Sequence, residues 1–333
     1  MQKEIVVSGI RSTGFLHLGN YFGAMRNYVR MQEDYECYFF VADYHSLTTH
    51  PDPKDLRNNV YRVLAENIAC GLDHTKVALY AQSDVPEIPE LYLMMNMLAY
   101  KGELEKVPTF KEKVRQHPDN VNAGLLTYPV LMAADILVHR AVKVPVGKDQ
   151  EQHLEMARNF AQRFNHRYQV ELFPEPHAFN FGAGGAKIMS LDGNGKMSKS
   201  ENANATIYLN DDDDTIRKKI MKAKTDSGPE APGSEMPDYI ANLFQLMQLV
   251  SREDVYNDFL GHFNNCTIRY GDFKKQLAED MVQFINPIRT KALELTNDPA
   301  RLQKILREGA QKARESASRT LTEARKAIGL HYY

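Results

Sequence analysis

The sequence predicts an α/β fold in which a doubly wound parallel sheet is followed by a helical C-terminal domain. Three observations carry that expectation. Short β-branched runs alternate with helical stretches in the first part of the chain, and the pattern beyond Asp211 is almost wholly helical. The chain has 333 residues, 43% of them hydrophobic, which exceeds the length at which one core usually divides into two.

The run Glu4-Ile5-Val6-Val7-Ser8-Gly9 is short, rich in β-branched residues and closed by glycine, as a buried parallel strand should be. Over residues 16–33 the apolar positions Leu18, Tyr21, Phe22, Met25, Tyr28, Val29 and Met31 keep close to helical spacing and make one face to pack on a sheet. Cys37-Tyr38-Phe39-Phe40-Val41-Ala42 reads as the next strand, residues 56–71 as the next helix, and Lys76-Val77-Ala78-Leu79-Tyr80-Ala81 as a third strand. Strands alternating with helices imply right-handed crossovers and a parallel sheet with helices on both faces. Residues 86–140 are mostly helical by pattern, interrupted at Pro108, around His117-Pro118-Asp119-Asn120 and at Pro129. Val142, Val144 and Val146 then alternate as a strand. Residues 173–200 are irregular and rich in glycine, so they read as a mobile segment. A boundary near 207 divides the chain into residues 1–207 and 208–333, with the C-terminal tail free to pack back on the first part. No internal repeat is visible.

Composition narrows the class. A net charge of −2 does not by itself point to a nucleic-acid partner, although a local basic surface remains compatible with it. Cys37, Cys70 and Cys266 are odd in number and widely spaced, without the paired spacing of a zinc site or the even set of a disulfide framework. The N-terminus lacks a secretory apolar region and no 18-residue apolar stretch follows. A soluble, cytoplasmic protein is expected, without a membrane partner.

Chemistry first suggests itself in the turn Ser8-Gly9-Ile10-Arg11-Ser12-Thr13-Gly14 and the following His17-Leu18-Gly19-Asn20. A glycine-bearing turn from a strand into a helix offers backbone N–H groups and a positive dipole end, which suit phosphate. His17 and Asn20 share a helix face, and Gly19 would let a flat ring approach the backbone. The same glycines would also serve plain helix–strand packing. Lys196-Met197-Ser198-Lys199-Ser200 is more specific: two lysines three residues apart, with Gly193 and Gly195 upstream, make a cationic loop that can close on a triphosphate and stabilise departing pyrophosphate. A solvated basic loop is the plain alternative.

Asp135 is the only acidic residue in the apolar run from Tyr128 to His139, and a lone buried carboxylate is costly unless something pairs with it. Positions 128, 132, 135 and 139 fall within about 60° of helical arc, so Tyr128, Met132, Asp135 and His139 line one stripe. Asp135 could pair with His139 one turn on, or accept from a backbone group. It could instead be the single acceptor in an apolar, flat-walled pocket for a ring bearing an N–H or O–H, and indole and phenol both qualify.

The paired segments His17-Leu18-Gly19-Asn20 and Lys196 to Ser200, on a Rossmann-like sheet, resemble the two signatures of class I aminoacyl-tRNA synthetases. Tyr128-Pro129 through Leu137, Val144-Pro145-Val146-Gly147-Lys148-Asp149-Gln150 and Ala186-Lys187-Ile188-Met189-Ser190-Leu191 extend the resemblance to the bacterial tryptophanyl-tRNA synthetases over essentially the whole chain. It implies catalytic roles for His17, Asn20, Lys196 and Lys199. It implies ATP contacts for Arg11, Ser12, Thr13, Gly19, Asn20, Gly147, Lys148, Asp149, Ile188, Lys196, Met197, Ser198, Lys199 and Ser200. It also implies a tryptophan pocket of Val7, His45, Tyr128, Met132, Asp135, Val144, Val146 and Gln150, with Asp135 accepting the indole N–H and Tyr128 and Gln150 holding the polar end. Lys113 falls on a further family pocket position.

ATP with Mg2+ held by its phosphates rather than by a protein metal site, tRNA(Trp), L-tryptophan and a homodimer complete the expectation. Arg11-Ser12-Thr13 departs from the commonest family pattern of Gln-Pro-Ser, which adds a positive charge, and Thr109 stands where glutamine is frequent. In residues 299–333, Arg301, Lys304, Arg307, Lys312, Arg314, Arg319, Arg325 and Lys326 outnumber Glu308, Glu315 and Glu323. A basic helix pair that reaches the tRNA anticodon is expected there. Tyrosine–tRNA ligase, a catalytically silent tRNA-binding paralogue and another adenylyl transferase of the superfamily are the alternatives.

Overall fold

The computed structural model describes residues 3–12, 14–116, 118–147, 150–179, 188–198 and 202–332. Its sheet consists of β1 (Ile5–Arg11), β2 (Glu36–Ala42), β3 (Ala78–Ala81), β4 (Lys143–Val144) and β5 (His177–Ala178). The order is β3-β2-β1-β4-β5 and the strand pairings are parallel. The chain runs outward from β1 in one direction, then returns to its other side at β4. The carboxyl end of β1 therefore lies at a topological switch point, where open α/β sheets bind ligands.

Alternation along the central strands divides the interior into two cores, as parallel sheets covered on both faces require. Val6, Phe39, Val41 and Leu79 belong to one, Val7, Tyr38, Phe40, Ala42 and Tyr80 to the other. The segment read as one helix over 16–33 is α1 (Leu18–Asn20), a π-helical turn (Tyr21–Met25) and α2 (Arg26–Asp34). Such a π turn shifts the helical phase without breaking the rod, so simple periodicity does not reveal it.

A short α3 (Asp43–Ser46) leaves the end of β2 directly. The start of α4 (Pro53–Ala69) is set by Asp52, whose side chain accepts from Lys54 N and Asp55 N, and by Pro53, whose missing N–H costs nothing there. Then follow α5 (Glu87–Asn96), α6 (Lys101–Leu104), α7 (Pro108–Gln116) and α8 (Ala123–Leu137), the last capped by Asn122 on Leu125 N. Strand β4 is only two residues long and is followed by α9 (Glu151–Tyr168). Strand β5 lies in the stretch read as irregular, because two residues carry no period.

The remaining described helices are α10 (Asp213–Met221), α11 (Asp238–Val250), α12 (Glu253–Asn264), α13 (Tyr270–Thr296) and α14 (Pro299–Ile328). Asp212 caps α10 by accepting from Thr215 N, which accounts for the acidic run before it. The expected basic helix pair at the C-terminus is one continuous α14. It lies along the edge strand β3, with Leu302, Ile305 and Leu306 in the first core and Ala310, Ala313 and Ala317 in the second. An otherwise open sheet edge is thereby covered. At the crossing stands Gly309, where an added Cβ would lie 2.0 Å from the Leu79 carbonyl oxygen. Several of the α14 cations are engaged within the chain: Arg325 pairs with Glu90, Arg314 with Glu87, and Lys312 donates to the carbonyls of His74 and Thr75. Among the described residues no helix is long and apolar enough to cross a membrane.

Candidate active site

Two groups of side chains meet at the carboxyl end of β1, one from each core. On the first side, residues 206–209 run antiparallel to the first signature. Leu18 N donates to Ile207 O at 3.0 Å, Leu209 N donates to Leu16 O at 2.8 Å, and His17 bridges Tyr208. His17 is buried, and its N–H donates to Asn20 Oδ1 at 3.2 Å. A Cβ on Gly19 would sit 3.0 Å from the His17 ring and 3.4 Å from the Met197 carbonyl oxygen. Glycine at this position therefore lets the two signature segments approach each other.

The described part of the second signature lies in the stretch read as irregular and is held by a few backbone hydrogen bonds. Met197 N donates to Ile188 O, Ser190 N to Gly195 O, and Met189 bridges Lys196, so residues 188–197 form a hairpin. Asp192 holds its turn by accepting from Asn194 N and Asn202 Nδ2, and Gly193 and Gly195 take positive φ there. Asn242 of α11 reads the hairpin like a further strand, accepting from Met189 N at 3.0 Å and donating to its carbonyl. The Ile188 and Met197 side chains are core, while Lys196 is exposed. Thr206 Oγ1 donates to Ser198 O at 3.0 Å, and Lys219 Nζ donates to Thr206 O and Asp211 Oδ2. A path of hydrogen bonds thus runs from α10 to the lysine hairpin. Ser12, expected at the phosphates, is fully buried with its hydroxyl 2.6 Å from that of Ser46. Thr13, Lys148, Asp149, Lys199 and Ser200 lie outside the described residues.

On the second side, α8 presents Tyr128, Met132 and Asp135, and Val7, Val144 and Val146 pack in the same core. Asp135 is 1% exposed. Neither of the plain pairings foreseen for it occurs. Its Oδ2 lies 2.9 Å from His45 Nε2, and its Oδ1 accepts from Gln82 Nε2 at 2.7 Å. His139 instead stacks on Tyr38 at 4.1 Å and meets the Tyr80 hydroxyl at 3.0 Å. Burial pushes the Asp135 carboxyl above its ordinary range, and the contacts with His45 and Gln82 oppose that shift. Each carboxylate oxygen keeps a lone pair for one more donor.

At the other end of α8, Lys113 Nζ lies 4.4 Å over the Tyr128 ring. Burial, then repulsion from Arg11, holds the Lys113 ammonium below its usual range, and Arg11 also opposes the upward push of burial on Tyr128. Arg11, Lys113 and Tyr128 thus act on one another, and two cations attend the polar end of the pocket. Tyr128 Oη is 2.5 Å from both Thr109 Oγ1 and His153 Nε2, and His153 Nδ1 is 3.0 Å from Gln150 Oε1.

Sequence reasoning missed Gln82, His153, Thr206 and Asn242. Gln82 immediately follows β3, so the rule that sites form beyond strand carboxyl ends pointed to it. His153 stands one helical turn from Gln150, a spacing that places them on one face. Thr206 and Asn242 carry no local signal, because their partners are remote in sequence.

Comparison with known proteins agrees with this geometry. The profile of the family described as tRNA synthetases class I (W and Y) matches residues 2–286. The tryptophan–tRNA ligase of Porphyromonas gingivalis is 61% identical, with 98% of this chain and 99% of that one covered. The structure of Campylobacter jejuni tryptophanyl-tRNA synthetase complexed with ADP and tryptophan superposes with a TM-score of 0.88 at 34% identity, covering 98% and 99% of the two chains. That of the Mycoplasma pneumoniae tryptophanyl-tRNA synthetase gives 0.82 at 33%, covering 99% of each. With a doubly wound sheet, both signature segments joined at its switch point and a buried aspartate on an apolar helix beside it, the chain belongs to the bacterial tryptophanyl-tRNA synthetases of class I.

Proposed function

We propose that the chain activates L-tryptophan with Mg-ATP and transfers the tryptophanyl group to the 3′-terminal adenosine of tRNA(Trp). The observation that carries the choice of amino acid is Asp135, a buried acceptor fixed by His45 and Gln82 among Met132, Val144 and Val146. It suits the indole N–H, with the apolar side chains walling the ring. Tyr128 and Gln150 take the amino acid's polar end, and Arg11 and Lys113 add positive charge where the carboxylate and phosphates meet.

In the first step a carboxylate oxygen of tryptophan attacks the α-phosphorus of ATP, and the bond to the bridging oxygen breaks to release pyrophosphate. Negative charge accumulates on the leaving group. His17, Lys196 and Lys199 stabilise it, and Asn20 braces the turn that carries His17. In the second, a terminal ribose hydroxyl of the tRNA attacks the acyl carbon and AMP leaves. No side-chain nucleophile is needed, because the work lies in positioning and charge stabilisation. Mg2+ enters on the ATP phosphates; Gly147, Lys148 and Asp149 serve the nucleotide.

Residues 1–207 form the catalytic part of this proposal and 208–333 the part that reaches the anticodon. On α14, Arg301, Arg307 and Lys326 have no ion-pair partner among the described residues, which leaves them for phosphate contacts. Leu93 on α5, Met97 just past its end and Tyr100 beyond are largely exposed and supply an apolar face for a homodimer. The protein acts in the cytoplasm. ATP–pyrophosphate exchange measured with tryptophan and with tyrosine tests the assignment: exchange with tryptophan is expected, and exchange with tyrosine alone overturns it.

A further inference from the structure

The hairpin that carries Lys196 sets it directly across from Met189 on the opposite strand. The bonds that close the hairpin run from Ser190 N to Gly195 O and from Met197 N to Ile188 O, one residue to either side of that pair. Met189 and Lys196 are therefore a non-hydrogen-bonded pair, with Cα atoms about 4.5 Å apart and their own N–H and C=O groups turned away from each other. The outward groups of Met189 need partners elsewhere. Both find one in a single side chain: Asn242 Oδ1 accepts from Met189 N at 3.0 Å, and Asn242 Nδ2 donates to Met189 O at 3.2 Å.

Asn242 is 3% exposed and sits in α11 among Ile240, Leu243 and Phe244 of the first core. A buried amide costs free energy unless its polar atoms are paired, and asparagine is a weak helix former. Leucine would serve packing alone. An amide, with one acceptor and one donor group arranged as in a peptide, can instead hold a strand edge. The rest of the hairpin is fastened to the same part of the chain. Lys224 N, three residues past α10, donates to Leu191 O at 3.0 Å, and a Cβ on Gly193 would meet Tyr239 Cβ of α11 at 3.0 Å. The backbone of Lys196 is thus one cross-strand step from the residue that α11 grips. We propose that Asn242 is a positioning residue for adenylate formation: by holding both backbone groups of Met189, it fixes where Lys196 meets the pyrophosphate leaving group. The inference rests on the role given above to the lysine hairpin.

Asn242→Leu keeps the apolar packing and removes both bonds. The kcat for ATP–pyrophosphate exchange, counted per tryptophan-binding site, is expected to fall about tenfold or more while the Kd for tryptophan stays within about twofold of wild type. Asn242→Gln, which keeps the amide on a longer stem, is expected to recover part of that loss, and Asn242→Ala gives the same comparison if the leucine variant folds poorly. A cycle with Lys196→Ala separates positioning from plain support of the fold. Once Lys196 is removed Asn242 has nothing to aim, so Asn242→Leu should cost less than about a further twofold in the Lys196→Ala background. Losses that multiply in the double variant overturn the inference, as does tryptophan affinity that falls in step with kcat. If Lys196→Ala lowers kcat and the Asn242 variants do not, only the role of Asn242 fails. If Lys196→Ala leaves kcat unchanged, the hairpin itself is misassigned and the inference falls with it.

Discussion

Replacement of Asp135 by asparagine separates recognition from folding. The side chain keeps its volume and one carbonyl oxygen but must now present an NH2 to one of two existing partners, Gln82 Nε2 at 2.7 Å or His45 Nε2 at 2.9 Å. Either clash can be relieved locally. His45 can change tautomer, and Gln82 can turn its Oε1, which has no partner among the described residues, toward the new donor. Removal of the buried negative charge also relieves the desolvation that pushes the Asp135 carboxyl upward. Stability should therefore change by no more than about 1 kcal/mol.

Binding should suffer more. A hydrogen bond to a charged group contributes about 1.5–3 kcal/mol and a neutral one about 0.5–1.5 kcal/mol, so the indole contact should weaken by about 1–2 kcal/mol, roughly 5- to 30-fold in Kd. The chain contains no tryptophan, so with excitation at the red edge, where its 17 tyrosines barely absorb, fluorescence of the bound amino acid can be followed with little background from the protein. Urea denaturation on the same samples reports stability. The reasoning is refuted if tryptophan affinity stays within about twofold of wild type, or if the loss of affinity comes with a collapse in stability.

Three other perturbations have definite outcomes. Gly309→Ala places a Cβ 2.0 Å from the Leu79 carbonyl oxygen, so α14 must withdraw from β3; a cost of about 1–3 kcal/mol outweighs a helix-propensity gain of about 1 kcal/mol, and thermal denaturation should show a lower Tm. Lys219→Met removes the donor to Thr206 O and Asp211 Oδ2 and so loosens the hairpin of the second signature. The kcat for pyrophosphate exchange should fall about tenfold with tryptophan affinity within about twofold, and an unchanged kcat would dismiss this path. Burial holds the His139 imidazole down at about 3 from an ordinary 6.5. The unfolded chain then takes up a proton below 6.5 that the folded chain refuses, so stability falls with falling pH. Between about pH 7 and about pH 5 this one residue should account for roughly 2 kcal/mol of lost stability, and His139→Phe should flatten that slope in denaturant titrations.

Much of the architecture was legible because it follows from local pattern. Ile5-Val6-Val7 and Phe39-Phe40-Val41 are continuous apolar runs, and such runs become central strands covered on both faces. The caps Asp52, Asn122 and Asp212 also act within a few residues of themselves. Short elements were less legible. β4 was read from Val142, Val144 and Val146 but is only two residues long, β5 is two residues held by neighbours that sequence does not announce, and the π turn at Tyr21–Met25 preserves enough apolar spacing to pass for α-helix. In the site, His17, Gly19, Lys196 and Asp135 were marked by residue type in context. The partners that orient them were not.

The sequence by itself determined the sheet and its helices, the two signature segments and the presence of one carboxylate in an apolar helix, because each depends on residues close along the chain. Only the tertiary structure decided what that carboxylate meets. The expected pairing of Asp135 with His139 assumed a continuing helix, but α8 ends at Leu137 and His139 meets Tyr38 and Tyr80 across the core, while His45 and Gln82 arrive from the ends of β2 and β3. The physical reason is that a buried charge is satisfied by whichever donors the packed sheet brings within hydrogen-bond distance, and sequence separation does not encode that distance.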